Sequence, residues 1–298
     1  MRAVGNSSKL FCERWGERTA SGAARKALEV LIPTSSKAAI PVDVDSAAKY
    51  VGIGQVFDVE MTNVDGLLSS TSSGTYIASL RKDQSPARRR FTLAHEIGHA
   101  IVYRSIGHQG ELDRDAQLQC RAETVSDKDE ERLCDVLATE LSMPRTQFLQ
   151  AMEETGVSAS TIPLIAQRFG VSLQAASRRV AEILPYEIGV GLWTANGENV
   201  RFVPRWYVTK NKARAPDYAI EAGQPGAACF TDRIVRGWHW IPLLGQMDKY
   251  FLDVFPLGGG RKSWLVVAVF SNAAQQIMMA ISKGRAPIPA RQIPLIGE

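Results

Sequence analysis

Two histidines one helical turn apart, with a glutamate between them, are the residues of this chain best placed to do chemistry. They lie in Ala94-His95-Glu96-Ile97-Gly98-His99, an H-E-x-x-H pattern. On an α-helix, positions i and i+4 share a face, so His95 and His99 can bind one metal ion. Glu96 stands beside them, where it can take a proton from a water activated by that ion. Only four histidines occur in 298 residues, so half of them fall in this one pattern. The plainer reading is a buried helix with two hydrogen-bonded histidines.

A third ligand would decide the class of site. Position 105, six residues after His99, is Ser, and His108 stands at a different spacing that only a loop could bring close. Glu131-Arg132-Leu133-Cys134-Asp135 supplies a carboxylate in an E-x-x-x-D pattern instead. Glu131 would complete a two-histidine, one-glutamate set with a fourth position open, which is how catalytic rather than structural Zn²⁺ is held. Asp135, one turn on, can hydrogen-bond an imidazole N–H and fix its tautomer. Against this stands the reading of Glu131 as one of a solvated acidic run with Asp129 and Glu130. For an oxyanion donor the candidates are His108 and Tyr103. Cys120, between the two ligand-bearing segments, could occupy the open position as an inhibitory ligand, since zinc favours sulfur; an idle, half-buried cysteine is the simpler reading. Cys134 is expected to fill a small core position.

These residues need helices to hold them. Ser85-Pro86 is a helix start, with Ser as N-cap and Pro in the first turn, and the helix is expected over 87–104. A second, over 129–142, carries Leu133, Leu137 and Leu141 on one face and stops near Met143-Pro144. Before them come a helical segment over 8–32, a short helix over 42–50, and strands over 55–61, 67–70 and 75–80 separated by Asp65-Gly66 and Ser73-Gly74 turns. Past Pro144 the pattern is helical to Ile183, then strand-rich (189–194, 199–208, 237–243, 249–255 and 263–270) with a last helical stretch over 273–282. The fold class expected is α+β, in three parts. These are a zincin-like, gluzincin-type peptidase domain over 1–145, a helix-turn-helix-like module over 146–185, and a strand-rich GAF/PAS-like domain over 186–298.

Thr161–Ile183 fits a helix-turn-helix, with Leu164, Ile165 and Phe169 inside, Gly170 at the turn and Ser172 capping. Arg178 and Arg179 could touch phosphates, or the module could simply dock the peptidase to its neighbour. From Tyr186 onward bases exceed acids by five, while Glu111–Glu131 holds eight acids against three bases. The basic strands carry aromatics, so Arg205, Trp206 and Arg236 could contact single-stranded nucleic acid. The competing reading is a small-molecule or protein sensor whose aromatics are core.

Composition excludes several classes. The net charge of +4 is too mild to imply nucleic acid by itself, and 45% hydrophobic with 22% charged residues is the balance of a folded globular chain. The longest apolar run, Trp264–Phe270, is far short of the roughly 20 residues that span a bilayer. The N-terminus lacks an apolar signal core, so the protein is expected in the cytoplasm. Four irregularly spaced cysteines form no disulfide framework.

The run Arg89-Arg90-Phe91-Thr92-Leu93-Ala94-His95-Glu96-Ile97-Gly98-His99, with Glu131-x-x-Cys134-Asp135-x-x-Ala138-Thr139-Glu140-Leu141-Ser142-Met143-Pro144, closely resembles the ImmA/IrrE family of metallopeptidases. The resemblance covers residues 40–145 closely and 146–183 loosely. It implies a signal-activated zinc endopeptidase that cleaves a helix-turn-helix repressor, often encoded nearby, in stress, DNA damage, phage defence or mobile-element control. It also implies a GAF-like domain after the helical module, where the residues themselves leave a small molecule or single-stranded DNA as the expected signal. The alternative is a DNA-binding regulator whose zinc site is structural or vestigial. A general peptidase without a dedicated substrate is a third reading.

Overall fold

A computed structural model of the chain describes residues 7–33, 39–106, 128–184, 188–196, 201–210, 219–224, 227–243, 246–257 and 263–269. His108, Cys120 and the helix expected over 273–282 lie outside them. The chain divides into two compact units: Met1–Arg145 with Arg168–Val171, and Thr146–Gln167 with Ser172–Glu298.

In the first unit, the N-terminal helical segment is two helices, α1 (Ser7–Trp15) and α2 (Ala20–Leu31). The sequence reading ran them together; Gly16 separates them. Its φ of 66° is the left-handed conformation glycine adopts freely, with Gly16 N–H donating to Glu13 O and Glu17 N–H to Cys12 O. The Thr19 side chain then accepts from Gly22 N and caps α2. Asp43 caps the next helix, α3 (Val44–Tyr50), through Ser46, and that bond holds the Asp43 carboxyl below its usual range.

Three strands follow: β1 (Ile53–Val59), β2 (Gly66–Ser70) and β3 (Tyr76–Arg81). They form one sheet in the order β1-β3-β2, with β3 parallel to β1 and antiparallel to β2. The sheet packs on α4 (Pro86–Ile106), which begins where Ser85 Oγ accepts from Arg88 N. α4 buries a continuous stretch from Thr92 to Tyr103 apart from His95, which is partly exposed. α5 (Lys128–Ser142) packs along it through Leu133, Cys134, Leu137, Ala138 and Leu141. Arg25 of α2 pairs with the buried Glu140 of α5 at 3.3 Å.

α6 (Arg145–Thr155), α7 (Ile162–Phe169) and α8 (Leu173–Ile183) follow. Gly170, at φ 62°, and the Ser172 N-cap occupy the short turn between α7 and α8. Ile165 and Phe169 are buried as expected, but Leu164 is 56% exposed and belongs to the outer face.

The second unit is built on one antiparallel sheet. Its strands are β4 (Ile188–Asn196), β5 (Arg201–Thr209), β6 (Ile220–Glu221), β7 (Val235–Leu243), β8 (Gln246–Leu257) and β9 (Ser263–Val269). The order is β6-β5-β4-β9-β8-β7, so the first and last long strands meet at the centre. An aromatic cluster of Trp193, Phe202, Phe230 and Trp264 fills the core beside it, with ring centroids 4.6–5.5 Å apart. Asp253 on β8 is buried; it accepts from Arg236 Nε and from the backbone N–H of Ala159, both at 2.9 Å. No helix among the described residues is long and apolar enough to cross a membrane.

Candidate metal centre

The centre lies where α4 and α5 pack against each other. His95 and His99 stand one turn apart on α4, with ring centroids separated by 4.9 Å. Opposite them, the first turn of α5 presents three consecutive acids, and Asp135 follows one turn later. Glu131 addresses both rings: Oε2 is 3.1 Å from His95 Nε2 and Oε1 is 3.5 Å from His99 Nε2. The outer nitrogens are engaged as well, His95 Nδ1 by Asp135 Oδ1 at 3.1 Å and His99 Nδ1 by Glu130 Oε1 at 2.9 Å. Each imidazole therefore turns Nδ1 to an outer carboxylate and Nε2 to Glu131. An outer carboxylate of this kind fixes tautomer and ring orientation for metal binding.

The distances fit an ion. Nitrogen and oxygen ligands about 2.0–2.2 Å from Zn²⁺ at tetrahedral angles lie roughly 3.4 Å from each other. The two Nε2–Glu131 separations, 3.1 and 3.5 Å, bracket that value. The donor chemistry fits too, since two imidazoles and a carboxylate with further acids behind them suit a divalent cation. Without an ion, His95 carries the compensating charge. Burial pushes its pKa down, but the hydrogen bonds its ring donates to Asp135 and Glu131, together with the nearby Glu96 charge, outweigh burial and raise it to about 10.

A second donor set competes for the same pair. The ligand atoms of His95, His99 and Cys134 lie within 4.8 Å of one another. Two observations favour Glu131 over Cys134. The Glu131 oxygens stand 3.1 and 3.5 Å from the two Nε2 atoms, close to the separation of two ligands on one tetrahedral ion. Cys134 is also fully buried against Gly98, and burial, together with Glu130, Glu131, Glu96 and Asp135, pushes its thiol well above the ordinary value. It is a packed thiol in the small core position expected of it.

Glu96 is buried, and its carboxylate lies beneath the first residue of β2: a Cβ on Gly66 would stand 2.6 Å from Glu96 Oε1. Only glycine leaves the strand room to come this close. The approach to Gly66 is tied down by Asp65, which pairs with Arg81 at 2.9 Å and with Arg88 of α4. Burial works against the Asp65 charge, but Arg88 and Arg81 hold its carboxyl below the usual range.

The structure thus brings together His95, Glu96, His99, Glu131 and Asp135. Tyr103 is on α4 with its ring 5.8 Å from that of His99, and it is buried. Glu130 was missed by the sequence reading, which left it in a solvated run. The available signal was spacing: Glu130, Cys134, Leu137 and Leu141 form one stripe at intervals of four, three and four, so Glu130 belongs to the buried face.

In the second unit the expected nucleic-acid residues separate. Arg178 and Arg205 are exposed and Trp206 is half-buried. Arg179 is corrected: it is 1% exposed, with its guanidinium 3.1 Å from Glu182, so it has no surface to offer a phosphate. Arg236 is committed to the buried Asp253 and anchors the sheet. Trp238 is 37% exposed.

Comparison with known proteins bears on the first unit and on the helices that open the second. Residues 48–181 match the family model of the IrrE N-terminal-like domain, Peptidase_M78. The radiation response metalloprotease IrrE of Deinococcus radiodurans is 35% identical over 105 residues, which are 35% of this chain and 30% of that protein. The chain therefore spans less than a third of that relative's length. A solved structure described as a Mycobacterium tuberculosis transcriptional regulator superposes with a TM-score of 0.49 at 17% identity, covering 94% of this chain and 83% of that one.

Proposed function

Starting from residues 48–181 as a domain of the ImmA/IrrE metallopeptidase family, we propose that this chain is a signal-gated zinc endopeptidase acting on a helix-turn-helix transcriptional repressor. The observation that carries the hydrolytic part is the convergence of both Nε2 atoms on Glu131, with Glu96 buried alongside. His95, His99 and Glu131 hold the ion; Asp135 and Glu130 orient the rings from behind. When bound, Zn²⁺ supplies Lewis acidity, polarising a peptide carbonyl and lowering the pKa of water.

The remaining steps belong to this chain's residues. Glu96 takes the proton of the attacking water and returns it to the leaving amine nitrogen. Its burial keeps bulk water away from the carboxylate. Gly66 lets β2 lie over Glu96, and β2 pairs with β3 alone among the described strands. Its outer edge offers backbone donors and acceptors to an extended substrate segment.

The repressor as substrate rests on the family resemblance, as do stress, DNA damage and phage defence as its setting. In this reading residues 1–145 form the peptidase domain, 146–185 a helix-turn-helix-like module and 186–298 a GAF/PAS-like sensor. Support for the sensor is the five-strand order β5-β4-β9-β8-β7, with first and last strands paired at the centre. The experiment for the metal centre is zinc affinity by chelator competition on wild type, His95→Ala and Glu131→Ala. One tight site in wild type, weakened in both variants, is expected. Undiminished affinity in either variant overturns this ligand set.

A further inference from the structure

α1 lies outside the matched residues 48–181, yet it holds both helices that carry the metal centre. At its start, Ser8 donates twice to Asp129, from its backbone N–H to Oδ2 and from its hydroxyl to Oδ1, both at 2.9 Å. At its end, Trp15 Nε1 donates to Ser105 Oγ at 3.2 Å. Between the two, Phe11 is fully buried in the core. Asp129 is in the first turn of α5, immediately before Glu130 and Glu131, and Ser105 is in the last turn of α4. One short helix thus joins the end of the histidine helix to the start of the carboxylate helix.

The lever is helix geometry. Successive residues of an α-helix point about 100° apart, so a small rotation of the first turn swings Glu130 and Glu131 together. A helix also frays most in its first turn, where the leading N–H groups lack intrahelical partners. Arg25 anchors the far half of α5 through Glu140 but leaves the first turn to be held by something else. Asp129, gripped at both oxygens, ties that turn to α1, beside the bonds Glu130 and Glu131 make to the imidazoles.

We propose that α1 is a positioning element of the metal centre, in which Ser8 and Asp129 fix the rotation of the first turn of α5 so that Glu130 and Glu131 meet the imidazoles. Trp15 fixes the same helix to α4, so the spacing of the two ligand sources is set from outside the matched domain. Ser8 and Asp129 are positioning residues acting through Glu130 and Glu131, and Trp15 is one acting through the helix that carries the histidines. The inference rests on the metal-centre reading above. It differs from a purely structural role for α1, in which Phe11 covers the core and the polar bonds are incidental.

The test measures zinc affinity by chelator competition on the full chain, alongside the unfolding midpoint of each metal-free variant. The variants are Ser8→Ala, Asp129→Asn, Asp129→Ala, Ser8→Ala with Asp129→Ala, Trp15→Phe and, as a core control, Phe11→Leu. Asp129→Ala is expected to weaken zinc about tenfold, the lower end for loss of an outer partner of a metal ligand. The double variant should bind no more weakly than Asp129→Ala, because the two residues act as one unit. Asp129→Asn keeps acceptor oxygen and should recover part of the affinity, while Phe11→Leu should lower the midpoint and leave affinity unchanged. Unchanged zinc affinity in Ser8→Ala and Asp129→Ala, or a loss that merely follows the midpoint as in Phe11→Leu, overturns the proposal. If Asp129→Ala does not fold, Asp129→Asn and Ser8→Ala decide it by the same criterion. If His95→Ala binds zinc as wild type does, the metal-centre reading has failed instead.

Discussion

Gly98 of α4 lies so close to Cys134 of α5 that a Cβ on Gly98 would stand 3.1 Å from both the Cα and the carbonyl oxygen of Cys134. Those atoms are backbone in a buried helix and cannot step aside. This contact sets how near the carboxylates of α5 come to the histidines of α4. Gly98→Ala therefore forces the helices apart. Overpacking costs about 1–3 kcal/mol, against a helix-propensity gain of up to ~1 kcal/mol. A lower denaturant midpoint together with weaker zinc binding is expected; an equally stable variant with wild-type affinity would contradict the packing argument.

Glu130 holds His99 Nδ1 at 2.9 Å and is itself partly buried. Glu130→Gln keeps the shape but removes the charge that favours the metal-binding ring. Zinc affinity should fall by about 10- to 100-fold, the range for such outer partners. Equal affinity in chelator competition would return Glu130 to the surface role assumed from sequence.

Metal uptake should release a proton from His95. Its folded pKa is raised to about 10 from 6.5, so the stability its charged form lends the metal-free fold is fully present below pH 6.5 and fades as pH rises through 10. Zinc needs the neutral ring, so binding runs the other way: weak at low pH and strengthening about tenfold per pH unit above neutrality. Calorimetry in two buffers of different ionisation enthalpy should count about one proton from this group at pH 7. Proton-neutral binding would contradict the His95 environment described here.

Cys134 separates the two possible donor sets. Cobalt substituted into the site should show ligand-field bands but no thiolate-to-metal charge transfer, with the same spectrum in Cys134→Ala. A charge-transfer band that vanishes in Cys134→Ala would make sulfur a ligand and displace the present assignment.

Much of the centre was legible because its chemistry repeats with the helix. His95, His99, Glu131 and Asp135 are separated by whole turns within their own helices, and α4 and α5 were expected within two residues of their observed ends. Contacts across the chain were not legible. Ser8 finds Asp129 across 121 residues and Gly66 lies on Glu96 across 30, and no local period reports either pairing. Arg179 illustrates the reverse error. An arginine beside another arginine on a helix suggests an exposed basic face, but the 100° step between neighbours puts Arg178 outside and Arg179 in the core. The break at Gly16 was missed because the apolar pattern runs through it, and only the backbone conformation marks the stop.

The most direct measurement co-expresses this chain with a candidate helix-turn-helix repressor of the kind proposed as its substrate, comparing wild type with Glu96→Gln. Zinc content and cleavage are read on the same samples. The account predicts equal zinc in both, discrete fragments with wild type and none with Glu96→Gln. Undiminished cleavage by Glu96→Gln at equal zinc content would contradict the assignment of Glu96, and with it the mechanism.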